Sequence, residues 1–80
     1  MTPRLRRLSA REVLQALGSF GFEVTTTRGS HTKLCRTVDG VRQILTVPVH
    51  RELPPGTLRA IFRQACRYVP EAKLRPWFYG

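Results

Sequence analysis

Apolar residues repeat at helical spacing near the N-terminus of the chain. Leu8 and Ser9 precede this segment, and Glu12 completes a capping-box pattern with Ser9. The apolar stripe that follows consists of Ala10, Val13, Leu14 and Leu17. Gly18 and Gly21 are typical of a helix end. The pattern therefore predicts a helix of about three turns that begins after Ser9.

Three β-rich runs in the middle of the chain predict an antiparallel meander. The first run, "FEVTTT", alternates so that Phe22, Val24 and Thr26 share one side of a strand. Arg28 and Gly29 are expected to form the turn after it. The runs "HTKLCRTV" and "VRQILTVPV" flank an Asp-Gly pair, which favours a type I′ hairpin turn. The sequence thus predicts three strands joined by tight turns.

The Asp-Gly turn also predicts which side chains share a face of this hairpin. If Val38 lies opposite Val41, one face becomes apolar and is expected to be the core side. The other members of that face are Thr32, Leu34, Leu45 and Val47. His31 and Lys33 then lie on the opposite, open face. A register slip of one residue would reverse this assignment.

A second helix is predicted after the Pro-Pro-Gly cluster at 54–56, because proline is tolerated in the first helical turn. Its apolar stripe consists of Leu58, Ile61, Phe62 and Ala65. In the last segment a short turn of helix is expected after Pro70. An aromatic cluster there is expected to cover an open edge of the core; it consists of Trp77, Phe78 and Tyr79. The element order predicts a single two-layer α+β domain over 1–80, with both helices on one face of a three-stranded antiparallel sheet.

Charge is the feature in which the composition departs from that of an ordinary small domain. The 80 residues include 14 Lys+Arg against 5 Asp+Glu, a formal net charge of +9. Such an excess favours nucleic acid, an anionic membrane or an acidic protein as a partner. Lys33 and Lys73 are the lysines, and the other basic residues are arginines, whose planar fork suits bidentate phosphate contacts. The composition therefore favours RNA or DNA.

Two groups of arginines have two interpretations each. Arg59, Arg63 and Arg67 lie four residues apart on one face of the second predicted helix, without interleaved acidic residues. They are either a solvated face or a row that contacts phosphates. The basic start "MTPRLRRLS" is either an unstructured arm that binds phosphates or a solvated tail.

Several classes of protein are not indicated by the sequence. No apolar run approaches the roughly 18 residues that span a bilayer, and the N-terminus lacks the apolar core of a signal peptide. The two cysteines show neither metal-ligand spacing nor a disulfide framework. Asp39 and Glu52 are isolated in sequence, so no metal site and no cofactor are expected. A cytoplasmic protein with reduced thiols is the expectation.

His31 follows a Gly-Ser turn, at the start of the second predicted strand. It is either an ordinary exposed strand residue or the proton-transfer group of a site that acts on a polyanion. The segments around it, "GFEVTTTRGSHTKL" and "LTVPVHRELPPGTLRAIFRQA", resemble the HicA (YcfA-like) toxins of bacterial type II toxin–antitoxin modules. The resemblance covers roughly 8–66, whereas 67–80 form a divergent C-terminal extension. Its specific parts are Gly21-Phe22, Gly29-Ser30-His31, Val47-Pro48-Val49-His50 and Gly56-Thr57-Leu58, with Ile61 after them.

The resemblance implies a fold like that of the double-stranded-RNA-binding domain. It also implies an mRNA interferase, which is a ribosome-independent endoribonuclease that an acidic antitoxin, HicB, neutralises. The catalytic histidine of the family maps onto His31. Two alternatives stay open: a non-catalytic RNA-binding module with the same fold, and a basic adaptor that docks an acidic protein.

RNA cleavage without a metal needs a base, an acid and positive charge beside the phosphorus. His31 is the candidate base or acid, since imidazole exchanges protons near neutral pH. Arg28 and Lys33 are the candidates that neutralise the phosphate. The backbone of Gly29-Ser30 would let RNA approach closely. His50 is either a second proton-transfer group or a structural residue of the loop before the second helix.

Overall fold

The computed structural model describes residues 3–80 as an α+β domain with one three-stranded antiparallel sheet. The sheet order is β1-β2-β3, so each strand pairs with the next one in sequence. The elements are α1 (Ala10–Gly18), β1 (Glu23–Arg28), β2 (His31–Val38), β3 (Val41–Pro48), α2 (Pro55–Ala65) and α3 (Glu71–Phe78). The predicted α+β class and strand meander are confirmed, and the short turn of helix expected after Pro70 is the eight-residue helix α3. No helix within residues 3–80 is both long and apolar enough to cross a bilayer.

The capping box predicted for α1 is present. The Ser9 hydroxyl accepts a hydrogen bond from the Glu12 backbone N–H at 3.1 Å, and the Ser9 backbone N–H donates to Glu12 Oε1 at 3.0 Å. The hydrogen bonds from Ser9 hold the pKa of the Glu12 carboxyl below its ordinary value. Leu8 and Val13, which have the spacing of a hydrophobic staple, are both buried. Local sequence thus specifies where the helix begins.

The β2–β3 hairpin has the predicted register. Val38 pairs with Val41 across a turn in which Asp39 and Gly40 both have positive φ, at 51° and 77°. This is the backbone conformation that a type I′ turn requires. Farther along the hairpin, the paired core-side residues are Leu34 with Leu45 and Thr32 with Val47, all of them buried. The open face is therefore the one that was predicted.

The predicted alternation of Phe22, Val24 and Thr26 on one side of β1 is wrong. Val24 pairs with Leu34 and Thr26 pairs with Lys33, so Thr25 is the extra residue of a β-bulge. A bulge places two residues against one and moves every later side chain to the other face. Thr26 and Arg28 consequently lie on the open face.

The core lies between the sheet and the helices. It unites the stripes of α1 and α2 with the inner faces of β2 and β3. Pro55 occupies the first turn of α2, as the Pro-Pro-Gly cluster predicted. On the outer edge of the sheet, the Gln64 side chain accepts a hydrogen bond from the Thr46 backbone N–H at 3.1 Å. This bond fixes α2 beside β3.

The C-terminal extension is part of the core rather than a cover at its edge. Helix α3 runs for two turns, and its Leu74 and Phe78 are completely buried. The Phe78 ring meets the Phe62 ring edge-on at 5.3 Å between centroids, whereas Trp77 remains 39% exposed. Tyr79, the third residue of the predicted aromatic cluster, is half-buried, and its ring centroid lies 5.2 Å from that of Phe62.

The residues at the two ends of the described chain pair with each other. Leu5 and Tyr79 form an antiparallel bridge, the Arg6 backbone N–H donates to the Phe78 carbonyl at 2.7 Å, and the Gly80 N–H donates to the Arg4 carbonyl at 2.8 Å. We call this pairing of residues 4–6 with 78–80 the terminal clasp. From residue 4 onward, the basic N-terminus is therefore not the loose tail or arm that its composition predicted. Met1 and Thr2 lie outside the described residues.

If α3 belongs to the core, removing a buried side chain from it destabilises the whole domain. Leu74→Ala should lower the free energy of unfolding by about 2–5 kcal/mol, because it leaves a cavity. Lys73→Ala, its exposed neighbour on the same helix, should change it by less than about 0.5 kcal/mol. Urea denaturation followed by circular dichroism measures both. Equal effects of the two substitutions would contradict this role of α3.

Candidate functional site

A shallow depression of about 380 Å³ lies on the open face of the sheet, on the side away from the core. It is lined by Thr26, Arg28, His31, Lys33 and Thr46. All five residues are exposed, and each of the three strands contributes at least one. The lining contains one imidazole and two cations but no carboxylate.

The sheet brings these side chains together through its register. Arg28 pairs directly with His31 at the end of the β1–β2 ladder, a position where opposed Cβ atoms are about 5 Å apart. Lys33 follows His31 by two residues on the same face, about 7 Å along the strand. Thr26 and Thr46 pair with Lys33 from either side. An anion in the depression would thus meet positive charge on two adjoining strands.

The turn before His31 is held by backbone contacts. Gly29 has a φ of +55°, which is positive at the first central position of a two-residue turn, where glycine is preferred. The Ser30 carbonyl accepts a hydrogen bond from the Val49 backbone N–H at 2.5 Å, and His31 pairs with Pro48. The end of β3 therefore fixes the backbone from which the imidazole projects.

Six of the predicted site residues do not line the depression: Gly29, Ser30, His50, Arg59, Arg63 and Arg67. Gly29 and Ser30 form the turn at its end, and a Cβ placed on Gly29 would meet nothing within 4 Å, so this backbone is open to solvent. His50 is exposed in the loop after β3. Its backbone carbonyl accepts a hydrogen bond from the Ala10 N–H at 3.0 Å, which ties that loop to the start of α1.

The arginine row of α2 divides between two concave surfaces. Arg63 and Arg67 line a depression of about 370 Å³ beside β3, together with Ile44 from the open face. Arg59 lines a different cavity, near the N-terminal residues. Gln64, which lines the depression of Arg63 and Arg67, hydrogen-bonds to the backbone of Thr46 in the His31 depression. The part of the row formed by Arg63 and Arg67 therefore lies next to the candidate site.

Arg36, which sequence analysis did not single out, is a structural cation. Its guanidinium donates to the Phe20 carbonyl at 2.7 Å, to the Tyr68 carbonyl at 2.7 Å and to Gln43 Oε1 at 2.5 Å. It also lies 4.7 Å from the centre of the Phe22 ring. The signal was its position: it continues the core-side alternation of Thr32 and Leu34 along β2. The guanidinium of Arg36 therefore stabilises the fold and is not available to bind a ligand.

The cysteines are both free and lie in different surroundings. Arg42 Nε donates to Cys35 Sγ at 3.0 Å on the open face, and this bond raises the pKa of Arg42. Burial raises the pKa of the Cys66 thiol, which packs against the core. Within residues 3–80, no three histidine, cysteine, aspartate or glutamate side chains cluster closely enough to hold a metal ion.

Fold and site together define a small, strongly basic α+β domain with an exposed histidine among cations. The family model described as "HicA toxin of bacterial toxin-antitoxin" matches residues 10–65. The chain therefore belongs to the HicA toxin family. The match covers α1 to α2 and excludes both halves of the terminal clasp. Comparisons with curated proteins and with solved structures gave no significant match.

The distinction between structural and available arginines is open to measurement. Arg36→Gln should lower the free energy of unfolding by about 1–3 kcal/mol, because it removes the donors to two partly buried carbonyls. Arg42→Gln removes an exposed guanidinium from the neighbouring strand and should change stability by about 0.5 kcal/mol or less. Urea denaturation of both variants gives the comparison. Equal stability of the two variants would show that Arg36 does not stabilise the fold.

Proposed function

We propose that this toxin is a metal-independent, ribosome-independent endoribonuclease, an mRNA interferase that uses His31. The observation that carries the proposal is the depression in which His31 adjoins Arg28 and Lys33 without any carboxylate. Family membership supports a toxin role within a toxin–antitoxin module. The exposed, cationic face suits a polyanionic substrate that is too large for an enclosed cavity.

In the proposed reaction, His31 acts as the base that removes the proton from a ribose 2′-hydroxyl. The 2′-oxygen then bonds to the adjacent phosphorus, and the bond from phosphorus to the 5′-oxygen breaks. The products are a 2′,3′-cyclic phosphate and a 5′-hydroxyl, whose proton comes from water or from His50. Arg28 and Lys33 neutralise the charge that accumulates on the phosphoryl oxygens. The step needs only this chain, its RNA and, where His50 does not supply the proton, a water molecule.

Phosphates on either side of the scissile bond need binding sites of their own. The backbone of Gly29 and Ser30 offers close approach, since no side chain covers the turn. We assign the next contacts to Arg63, Arg67 and then Arg59, which extend from the Thr46 side of the depression along α2. Their donors suit phosphate oxygens.

The proposed protein partner is an acidic, HicB-like antitoxin that acts in the same compartment, the cytoplasm. The net charge of +9 favours fast association with an acidic surface. We place the contact on the open face, because a protein bound there would cover His31 and exclude RNA at the same time. Exposed Ile44 supplies apolar area on that face.

Cleavage should depend on one imidazole. His31→Ala should reduce the rate of cleavage of a mixed RNA pool by about 100-fold or more, since a positioned proton-transfer group contributes that much. RNA binding should persist, because the cations remain. Gel analysis of cleavage in EDTA, together with filter binding, measures both quantities. The matched control, His50→Ala, should retain more activity than His31→Ala.

Each competing function has its own outcome in this assay. A non-catalytic RNA-binding module would bind RNA and leave it intact in wild type and variants alike. A basic adaptor would show no salt-dependent affinity for RNA, while it binds an acidic protein tightly. Cleavage that persists in His31→Ala would assign the chemistry to another residue.

The α2 row should contribute to affinity through counterion release. Substitution of Arg59, Arg63 and Arg67 by Gln should weaken binding of single-stranded RNA and reduce the slope of log affinity against log salt by about 2. Arg11→Gln/Lys73→Gln removes exposed cations from α1 and α3, and should leave the slope nearly unchanged. Equal slopes for wild type and the α2 variant would make the row a solvated helix face.

A further inference from the structure

A cavity of about 770 Å³ lies between the N-terminal residues and the start of α2, outside the candidate site. Its charged lining residues are Arg4, Arg6, Arg7, Arg59 and Glu52. Four cations thus face one carboxylate. Three of the four precede residue 10, where the family match begins, so neither the match nor the α2 row accounts for them.

The terminal clasp holds these arginines in place. Backbone hydrogen bonds fix residues 4–6 to 78–80, and half-buried Leu5 packs against the core between exposed Arg4 and Arg6. The Arg6 side chain packs against Gly80, since a Cβ at that glycine would lie 2.9 Å from Arg6 Nε. A fixed backbone lowers the entropy that is lost when the cations bind an anion.

The guanidinium groups of this cavity keep their donors available. In the described chain, the arginine side chains that donate hydrogen bonds to other protein groups are Arg36 and Arg42. The arginines of the cavity are not among them, and all four are exposed. Like charges concentrated in one concavity repel each other and raise the local affinity for an anion.

A line of arginines along α2 connects the cavity with the candidate site. Arg59 borders it, and Arg63 and Arg67 follow along α2 at about 6 Å per step. Arg63 and Arg67 share their depression with Gln64, whose bond to Thr46 leads to the His31 depression. A flexible polyanion that is bound at His31 can follow this path, whereas the globular surface of an acidic protein would have to bend around the helix.

We propose that the terminal clasp and the start of α2 form a second phosphate-binding site, which holds the RNA strand several nucleotides from the one that reacts. The inference rests on the proposed function, because it takes RNA as the substrate. The site makes long RNA a better ligand than short RNA. A binding site remote from the reacting phosphate adds affinity for RNA without changing the cleavage step.

The test uses Arg4→Gln/Arg7→Gln, which keeps the backbone bonds of the clasp and the Arg6 contact with Gly80. All proteins carry His31→Ala so that RNA stays intact, and the ligands are single-stranded RNAs of about 4 and about 20 nucleotides. For the long RNA we expect about tenfold weaker binding and a salt slope smaller by about 1.4, the value for two lost contacts. The short RNA should bind to parent and variant alike.

The matched control is Arg11→Gln/Lys73→Gln, which removes the same net charge at exposed positions away from the cavity. If Arg4→Gln/Arg7→Gln binds long RNA no more weakly than this control, the second site is overturned. If the His31→Ala parent itself binds neither RNA, the proposed function fails instead. Thermal unfolding of both variants checks that each domain remains folded at the temperature of the binding assay.

Discussion

The pairing of β2 with β3 is the constraint on which the remaining structure depends. Its register places a continuous apolar face against the helices, with Leu34 opposite Leu45 and Val47 opposite Thr32. Because side chains alternate along a strand, the same register leaves His31 and Lys33 on the other face. Core and candidate site are thus two consequences of one set of backbone hydrogen bonds. A slip of one residue would bury the imidazole and expose the core.

The bulge at Thr25 adds the third strand to this arrangement. Without the extra residue, β1 would keep Arg28 on the side of the sheet that faces the helices, away from His31. With it, Arg28 faces solvent beside His31, and Thr26 lines the same depression. Bulges commonly re-aim a side chain close to a functional site. Here the bulge supplies the second cation beside the imidazole.

The arginines of this chain divide into those that build the fold and those that remain available. Arg36 satisfies two backbone carbonyls at the margin of the core. The arginines of α2 and of the N-terminal residues border concave surfaces and are exposed. Net charge therefore overstates the charge that is free for a partner. The C-terminal extension serves the fold and the available arginines alike. Its buried Leu74 and Phe78 enlarge a small core, and residues 78–80 hold residues 4–6 in the terminal clasp.

The sequence by itself determined the local structure: the Ser9–Glu12 capping box, the turn at Asp39-Gly40 and the hairpin register that follows from it. These features depend on residues that are close in sequence, so pattern and turn chemistry suffice. It also predicted that His31 and Lys33 share the open face. Only the tertiary structure decided the bulge at Thr25, the hydrogen bonds from Arg36 to the Phe20 and Tyr68 carbonyls, and the pairing of residues 4–6 with 78–80. Each of these depends on packing between distant segments, which no local periodicity encodes.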